Sequence, residues 1–411
     1  MRVVLVAGGS RGDVQPLVAL GCGIRDAGHE VTVAATKNFA ALVEAYDLGF
    51  APFSYTIQQQ MTSELGTRWV TGSSGHPARE LRVLRRVGQA WAPTVADDLL
   101  NLSGSADLFI SGILSINAMA AIATHDGVRH AAALLSPFHP SADGRVTLLA
   151  PLPGHVSPLN ALAGRVALRV VARSFGLAGE MVRRRLGLPG NGWTDFTNAV
   201  RGTRCVLGAS RLLVPPATDW PADMTVTGPW PLPAREDWSP DAGLLDFLRA
   251  GPTPVYIGFG SMNQASADPT GQVVAQAISR SGVRALVPGS TDSPDESVFA
   301  VGDIPHEWLF PRVAAVVHHG GAGTTHAAIC AGRASAAVPH MGDQPYWGRR
   351  VAELGVGTAP IPLHRLTTDA LTGTIGSLLT NADMRGAAAR AARLLSSERG
   401  VSRAVRALGL A

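Results

Sequence analysis

Short apolar runs, each followed by a glycine-rich turn and a stretch with helical spacing, recur along this chain. Val3-Val4-Leu5-Val6-Ala7 predicts a buried parallel strand, and Gly8-Gly9-Ser10-Arg11-Gly12 the turn that follows it. From Val14 to Ala27 the apolar positions Val14, Leu17, Val18, Leu20 and Ile24 fall on one helical face, with Gly28 placed as the C-cap. Glu30–Ala35 predicts the next strand. The chain therefore opens β-α-β, and the right-handed crossover rule makes a doubly wound sheet the expectation. Further strands are predicted at Leu108–Ser111 and Ala131–Leu135.

Two segments interrupt this rhythm. Residues 54–78 are polar and rich in Gln, Ser, Thr and Gly, and predict a long mobile loop; residues 138–163 are rich in Pro and Gly. Both are expected outside the carboxyl ends of early strands, where open α/β sheets bind ligands. Between residues 213 and 240, seven prolines and the tryptophans Trp220, Trp230 and Trp238 predict a stiff interdomain linker. The pattern then restarts. Pro254 to Ser261 reads as strand and glycine turn, Thr270–Ser281 as helix, and Ala285–Val287, Ala314–Val317 and Ala334–Val338 as strands. The Ala/Arg-rich tail from Met384 to Leu408 reads as helix.

Length supports two domains, since 411 residues exceed one ordinary hydrophobic core. Apolar residues make up 46% and charged residues 16%, enough for two cores. The formal charge of +4 attracts small anions but forms no basic stripe of the kind nucleic acid requires. Cys22, Cys205 and Cys330 are an odd, widely spaced set, which argues against a disulfide framework and for a reducing cytoplasm. Val3–Ala7 is too short for a signal sequence, and no run of about 18 apolar residues predicts a membrane span. Arg165, Arg169 and Arg173 share one helical face, with Arg183–Arg185 soon after; a solvated charged face explains them more simply than a helix resting on a membrane.

The densest chemistry lies in Val316-Val-His-His-Gly-Gly-Ala-Gly-Thr-Thr325. An apolar run ends in two histidines, then Gly320, Gly321 and Gly323, with Thr324 and Thr325 opening a helix through Cys330. Strand, glycine turn and helix present backbone N–H groups and a positive dipole end to a phosphate. In the same half Gly258-Phe-Gly-Ser261 follows another strand. Asp343 and Gln344, after a third, offer a carboxylate and an amide suited to sugar hydroxyls. Phosphate grips beside a hydroxyl reader point to a nucleotide sugar. In the first half Asp13 follows the first strand within Ser10-Arg11-Gly12-Asp13. A carboxylate with a pKa of about 3.9 is ionised at neutral pH and can take a proton from an acceptor hydroxyl. Asp is equally a preferred N-cap for a helix starting at Val14, and the two roles are compatible. His318, His319 and His326 do not make a metal site by spacing, because adjacent histidines share one ion poorly and no Cys or carboxylate accompanies them. Gly-x-Gly-x-x-Gly and Gly-Lys-Ser/Thr are missing from the glycine turns, which disfavours dinucleotide and P-loop readings.

At these residues the chain resembles glycosyltransferases of the GT-B fold. Within them it is similar to the actinobacterial antibiotic glycosyltransferases of the vancomycin group and the sterol glucosyltransferases. The matching segments are Gly9–Leu20, Val255–Ser261, Val317–Thr325 and Asp343–Gly348. The resemblance implies an α/β architecture of two doubly wound Rossmann-like domains facing a central cleft. It assigns 1–212 to acceptor binding, 213–240 to a linker, 241–390 to the nucleotide sugar and 391–411 to a C-terminal helix packing back on the first domain. It further implies an inverting hexosyltransferase with no essential metal and no cofactor beyond its UDP- or dTDP-sugar. The acceptor would be a hydroxyl of a large, partly apolar natural product. Asp13 matches the proposed base, where many relatives carry His. His319 matches the phosphate-binding histidine, and Gly321, Ala322, Gly323 and Thr324 the diphosphate grip. Ser10, Arg11, Gly12 and Ser261 are counted with the donor-binding turns, Asp343 and Gln344 with the sugar readers, and His306 and Trp308 with the nucleoside pocket. Ala327 stands where plant-type relatives hold the ribose with Glu, so the choice between UDP and dTDP is open. The partners implied are the donor and an apolar hydroxylated acceptor, with no nucleic acid or stable membrane insertion, in a cytoplasmic monomer or homodimer. A nucleotide-sugar epimerase of the same fold and a non-catalytic helper protein are the rival readings.

Overall fold

Runs of Val, Leu, Ile and Ala with no polar alternation can only be satisfied by strands covered on both faces, and that is where the chain puts them. The computed structural model describes residues 1–56, 77–235, 238–259, 269–289 and 295–411. Ser261 and most of the loop expected over 54–78 lie outside the described residues. Two compact units emerge, one of Met1–Leu232 with Arg399–Ala411 and one of Pro233–Glu398.

The first unit holds β1 (Arg2–Ala7), β2 (Glu30–Thr36), β3 (Gly49–Phe53), β4 (Leu108–Ser111), β5 (Arg129–Leu134), β6 (Arg204–Leu207) and β7 (Met224–Val226). They form one parallel sheet in the order β3-β2-β1-β4-β5-β6-β7. Pro52 is accommodated because β3 is an edge strand, where a missing N–H costs no ladder bond. One sheet face is packed by the helices Arg11–Asp26 and Gly400–Ala407, the other by helices Pro77–Leu100, Ile116–Asp126 and Leu177–Arg185. The second unit holds β8 (Val255–Gly258), β9 (Ala285–Pro288), β10 (Val298–Val301), β11 (Val316–His318) and β12 (Ser335–Ala337). These are parallel in the order β10-β9-β8-β11-β12, again with a core on each face.

Three expectations change. The first helix begins at Arg11, with Ser10 as N-cap, so Asp13 is its third residue and not its cap. The helical tail is two helices, Ala382–Leu395 and Gly400–Ala407, broken at residues 396–399. Most of the segment read as a linker is instead wall of the first unit: β7 joins the sheet there, and Trp230 and Leu232 are buried in its core. Trp230 donates its indole N–H to Thr227 Oγ1 at 3.0 Å, which lets a large polar-tipped ring sit inside. Prolines and tryptophans suggested a spacer because composition does not show which surface they cover.

The segment after the break is tied to the first unit by packing. Ala404, Val405, Leu408 and Leu410 are buried in its core. Gly23 permits the approach, since a Cβ there would lie 2.2 Å from Val401 Cγ1. Leu408→Ala removes a side chain only 1% exposed and is expected to destabilise the first unit by about 2–4 kcal/mol. Urea unfolding followed by circular dichroism measures this, and an unchanged midpoint would contradict the packing.

Candidate functional site

In the second sheet the strand order reverses between β8 and β11, whose carboxyl ends therefore border an uncovered crevice. Three loops meet there. Phe259, directly after β8, contacts the His340 ring with centroids 5.7 Å apart. The loop after β12 is bound to the end of β11 by the Val338 N–H donating to His318 O at 2.7 Å. Gly320 has φ +90°, and a Cβ on it would lie 2.8 Å from the Gln344 carbonyl, so the turn after β11 sits directly against the loop after β12.

The two histidines of that turn divide their work. His318 is fully buried, and its Nδ1 accepts the Gly320 N–H at 3.0 Å, which fixes the turn. His319 is half-buried and folds over Gly321, where a Cβ would come within 2.5 Å of its Nε2. Burial, then the neighbouring His340, holds the His319 imidazole down at about 4. It is neutral at pH 7 and carries one N–H to donate. The helix Ala322–Cys330 starts from Gly321, which has no side chain to cap it. The first-turn amides of Ala322, Gly323 and Thr324 thus receive no cap from that residue, and the dipole's positive end points the same way. Thr325 Oγ1 is tied back to Gly321 O at 2.8 Å, whereas Thr324 is half-exposed at the turn.

Asp343 and Gln344 shape the neighbouring loop as well as facing it. Asp343 Oδ2 accepts the Trp347 indole N–H at 2.8 Å, and Gln344 Oε1 accepts the His340 and Met341 N–H groups at 2.7 and 3.1 Å. His306 stacks on Phe310 with centroids 4.4 Å apart and meets the edge of Tyr256 at 5.9 Å. The Trp308 ring has Trp238 against it at 5.2 Å and the Arg312 guanidinium over it at 4.3 Å. His326 is buried, with Nδ1 at 2.7 Å from Ala322 O. Among the described residues no group of three His, Cys, Asp or Glu is placed to hold a metal ion.

The first sheet reverses between β1 and β4. Asp13 stands at this crevice, in the first turn of the helix that follows β1, exposed. Its Oδ2 accepts the Ser10 N–H at 2.7 Å and the Ser10 hydroxyl at 3.2 Å. Gly9 makes room for it, since a Cβ there would fall 2.0 Å from Oδ2. Arg11 and Gly12 are exposed, and Arg11 Nε donates to Gln15 Oε1 at 3.0 Å. Beside this turn lies a cavity that sequence reasoning missed. Gly8 and Ser115, from the turns after β1 and β4, line it with Phe53, Tyr55, Trp91 and Phe175. Ser115 Oγ is buried there with no hydrogen-bond partner among the described residues. Asp98, also on its wall, accepts from the Ser54 N–H at 2.8 Å. The alternation Phe53-Ser54-Tyr55 at a strand end was the available signal, but nothing in it announces the helix that brings Trp91 opposite.

A family model described as glycosyltransferase family 28 N-terminal domain matches residues 3–124. Another, described as erythromycin biosynthesis protein CIII-like C-terminal domain, matches residues 266–401. The vancomycin aglycone glucosyltransferase of Amycolatopsis orientalis is 33% identical over 401 residues, covering 92% of this chain and 90% of its own length. A sterol 3-beta-glucosyltransferase of Arabidopsis thaliana is 31% identical over 427 residues, covering 99% of this chain but 65% of its own, so the chain spans about two thirds of that relative. Among solved structures, the calicheamicin glycosyltransferase CalG4 matches with a TM-score of 0.69 at 18% identity, over 100% of this chain and 98% of its own. The glycosyltransferase VinC in complex with dTDP matches with 0.67 at 19%, over 100% and 99%. At such identities these two likenesses show the fold, which is GT-B.

The buried histidines make stability pH-dependent. Burial is the first cause that lowers His130, His139, His319 and His326 to about 4 and His318 to about 3 from an ordinary 6.5. A depressed folded pKa contributes stability above 6.5 that is lost as pH falls toward 4. The melting temperature is expected to hold from about pH 8 to 6.5 and drop steeply below. A flat profile down to pH 4 would show that these rings are accessible to protons in the folded chain.

Proposed function

The chain belongs to the glycosyltransferase family that includes the vancomycin aglycone glucosyltransferase, and from that premise we propose that it moves a hexose from a nucleotide-diphosphate sugar to an alcohol. The observation that carries this reading is the uncapped helix start at Gly321, with His319 folded over it, at the switch point of the second sheet. The diphosphate would take the first-turn amides, the His319 N–H and the Thr324 hydroxyl. As the anomeric bond lengthens, negative charge grows on the leaving diphosphate, and these fixed donors stabilise it in the role a metal ion plays elsewhere. Asp343 and Gln344 stand beside the grip to read sugar hydroxyls. The nucleoside falls to the His306–Trp308 segment, and Ala327 supplies no ribose contact of its own.

Asp13 takes the acceptor proton as the acceptor oxygen attacks opposite the leaving group, which inverts the anomeric carbon. The Ser10 hydrogen bonds orient the carboxylate. The acceptor belongs in the aromatic cavity of the first unit, and at about 90 Å³ that cavity takes one end of a large molecule and leaves the rest outside. The Ser115 hydroxyl inside it, without a hydrogen-bond partner among the described residues, favours an apolar acceptor with a polar substituent at that end.

UDP or dTDP at saturating concentration is expected to raise the melting temperature, and His319→Ala to abolish most of that shift. No shift with either nucleotide removes the donor reading. Asp13→Asn preserves an oxygen to accept the Ser10 N–H, so it should fold and bind nucleotide, yet lose about 10²–10⁴-fold in transfer rate. Near wild-type turnover would reduce Asp13 to a helix-start residue. Product mass detection in the same assay separates transfer to an acceptor from epimerisation of the donor sugar, and wild-type turnover excludes a non-catalytic helper.

A further inference from the structure

A segment of the first unit combines exposed aliphatic side chains with three arginines at successive helical turns. Leu149, Leu152 and Val156, in the loop after β5, are exposed, Val156 to 75%. The following helix, Pro158–Phe175, exposes Leu159, Leu162 and Val166. Its buried side is Asn160, Gly164, Leu168, Ala172 and Ser174, so the outward aliphatic residues are not this helix's core contact. On the same outward side stand Arg165, Arg169 and Arg173, one per turn. Arg169 and Arg173 place their guanidinium groups 5.3 and 5.2 Å from the ring centroid of the half-buried Trp193. From Gly144 to Gly179 the chain has four arginines and no Asp or Glu; Arg145 is paired with Asp143 at 2.6 Å, which leaves Arg165, Arg169 and Arg173 as the cations of this segment.

A face that is merely solvated has no reason to expose so many large aliphatic residues together. The order along the chain, an aliphatic loop and helix start followed by cations stacked on an indole, matches the passage from acyl chains to phosphate headgroups. We propose that this face docks the protein on an anionic lipid surface, with 149–166 entering the acyl boundary and Arg165, Arg169 and Arg173 meeting lipid phosphates. The attachment is interfacial; among the described residues no helix is long and apolar enough to cross a membrane. It stands independently of the donor and acceptor assignments.

Flotation with sized vesicles tests this. The protein should rise with vesicles of phosphatidylglycerol and phosphatidylcholine and remain behind with phosphatidylcholine alone, and about 1 M salt should weaken the association. Leu159→Ser/Leu162→Ser/Val166→Ser and Arg165→Gln/Arg169→Gln/Arg173→Gln should each lose at least about tenfold in vesicle affinity. Because all six positions are exposed, the serine variant should melt as the wild type does, and the glutamine variant, which gives up the two Trp193 contacts, only slightly lower. The proposal is overturned if the wild type does not bind the anionic vesicles. It is equally overturned if both triple variants bind undiminished, or if the serine variant only turns a dimer into a monomer in sedimentation. Nucleotide-induced thermal stabilisation, read in parallel, reports the donor site separately.

Discussion

A right-handed crossover carries the chain over one face of a parallel sheet, so two neighbouring strands whose connections run to opposite sides leave their carboxyl ends uncovered. That constraint acts between β1 and β4 in one unit and between β8 and β11 in the other. Every residue assigned a chemical role within the described chain lies in a loop leaving one of the two sheets at its carboxyl edge, or on a helix that begins there. The loops can be polar, glycine-rich and strained because the strands beneath them are apolar and covered on both faces.

The polar groups at these edges are held before any ligand arrives. His318 fastens the turn that carries His319, Gln344 closes the loop that carries Asp343, and Ser10 orients Asp13. Such prior fixing matters for charge stabilisation, since donors that need not reorganise act at full strength when charge develops. It also explains the glycines. At Gly9, Gly320 and Gly321 a Cβ would strike a carboxylate, a backbone carbonyl or an imidazole, so each close approach needs a residue without a side chain.

Much of this was legible in the chain. The strand, glycine turn and helix around His319 announced an anion site because backbone geometry follows directly from an apolar run, glycines and a helix start. Asp13 was found by position, yet its relation to the helix was misjudged by three residues, because Ser10 and Asp13 are both good capping residues and only coordinates show which one the helix leaves from. The cavity beside it was not legible, since Tyr55, Trp91, Ser115 and Phe175 are scattered over 121 residues and meet only when the sheet and its helices assemble.

What sequence alone determined is whatever local chemistry dictates: the parallel strands, the turns that bare backbone amides, and the family motif. Only the tertiary structure decided the questions that depend on distant neighbours. It placed His318 in the core and left His319 at the turn, and it drew most of the expected linker into the first unit. It also left Leu159 and Leu162 outside beside the arginines, where periodicity had suggested a plain charged face. The physical reason is that periodicity states which residues share a face, while burial depends on what the rest of the chain lays against it.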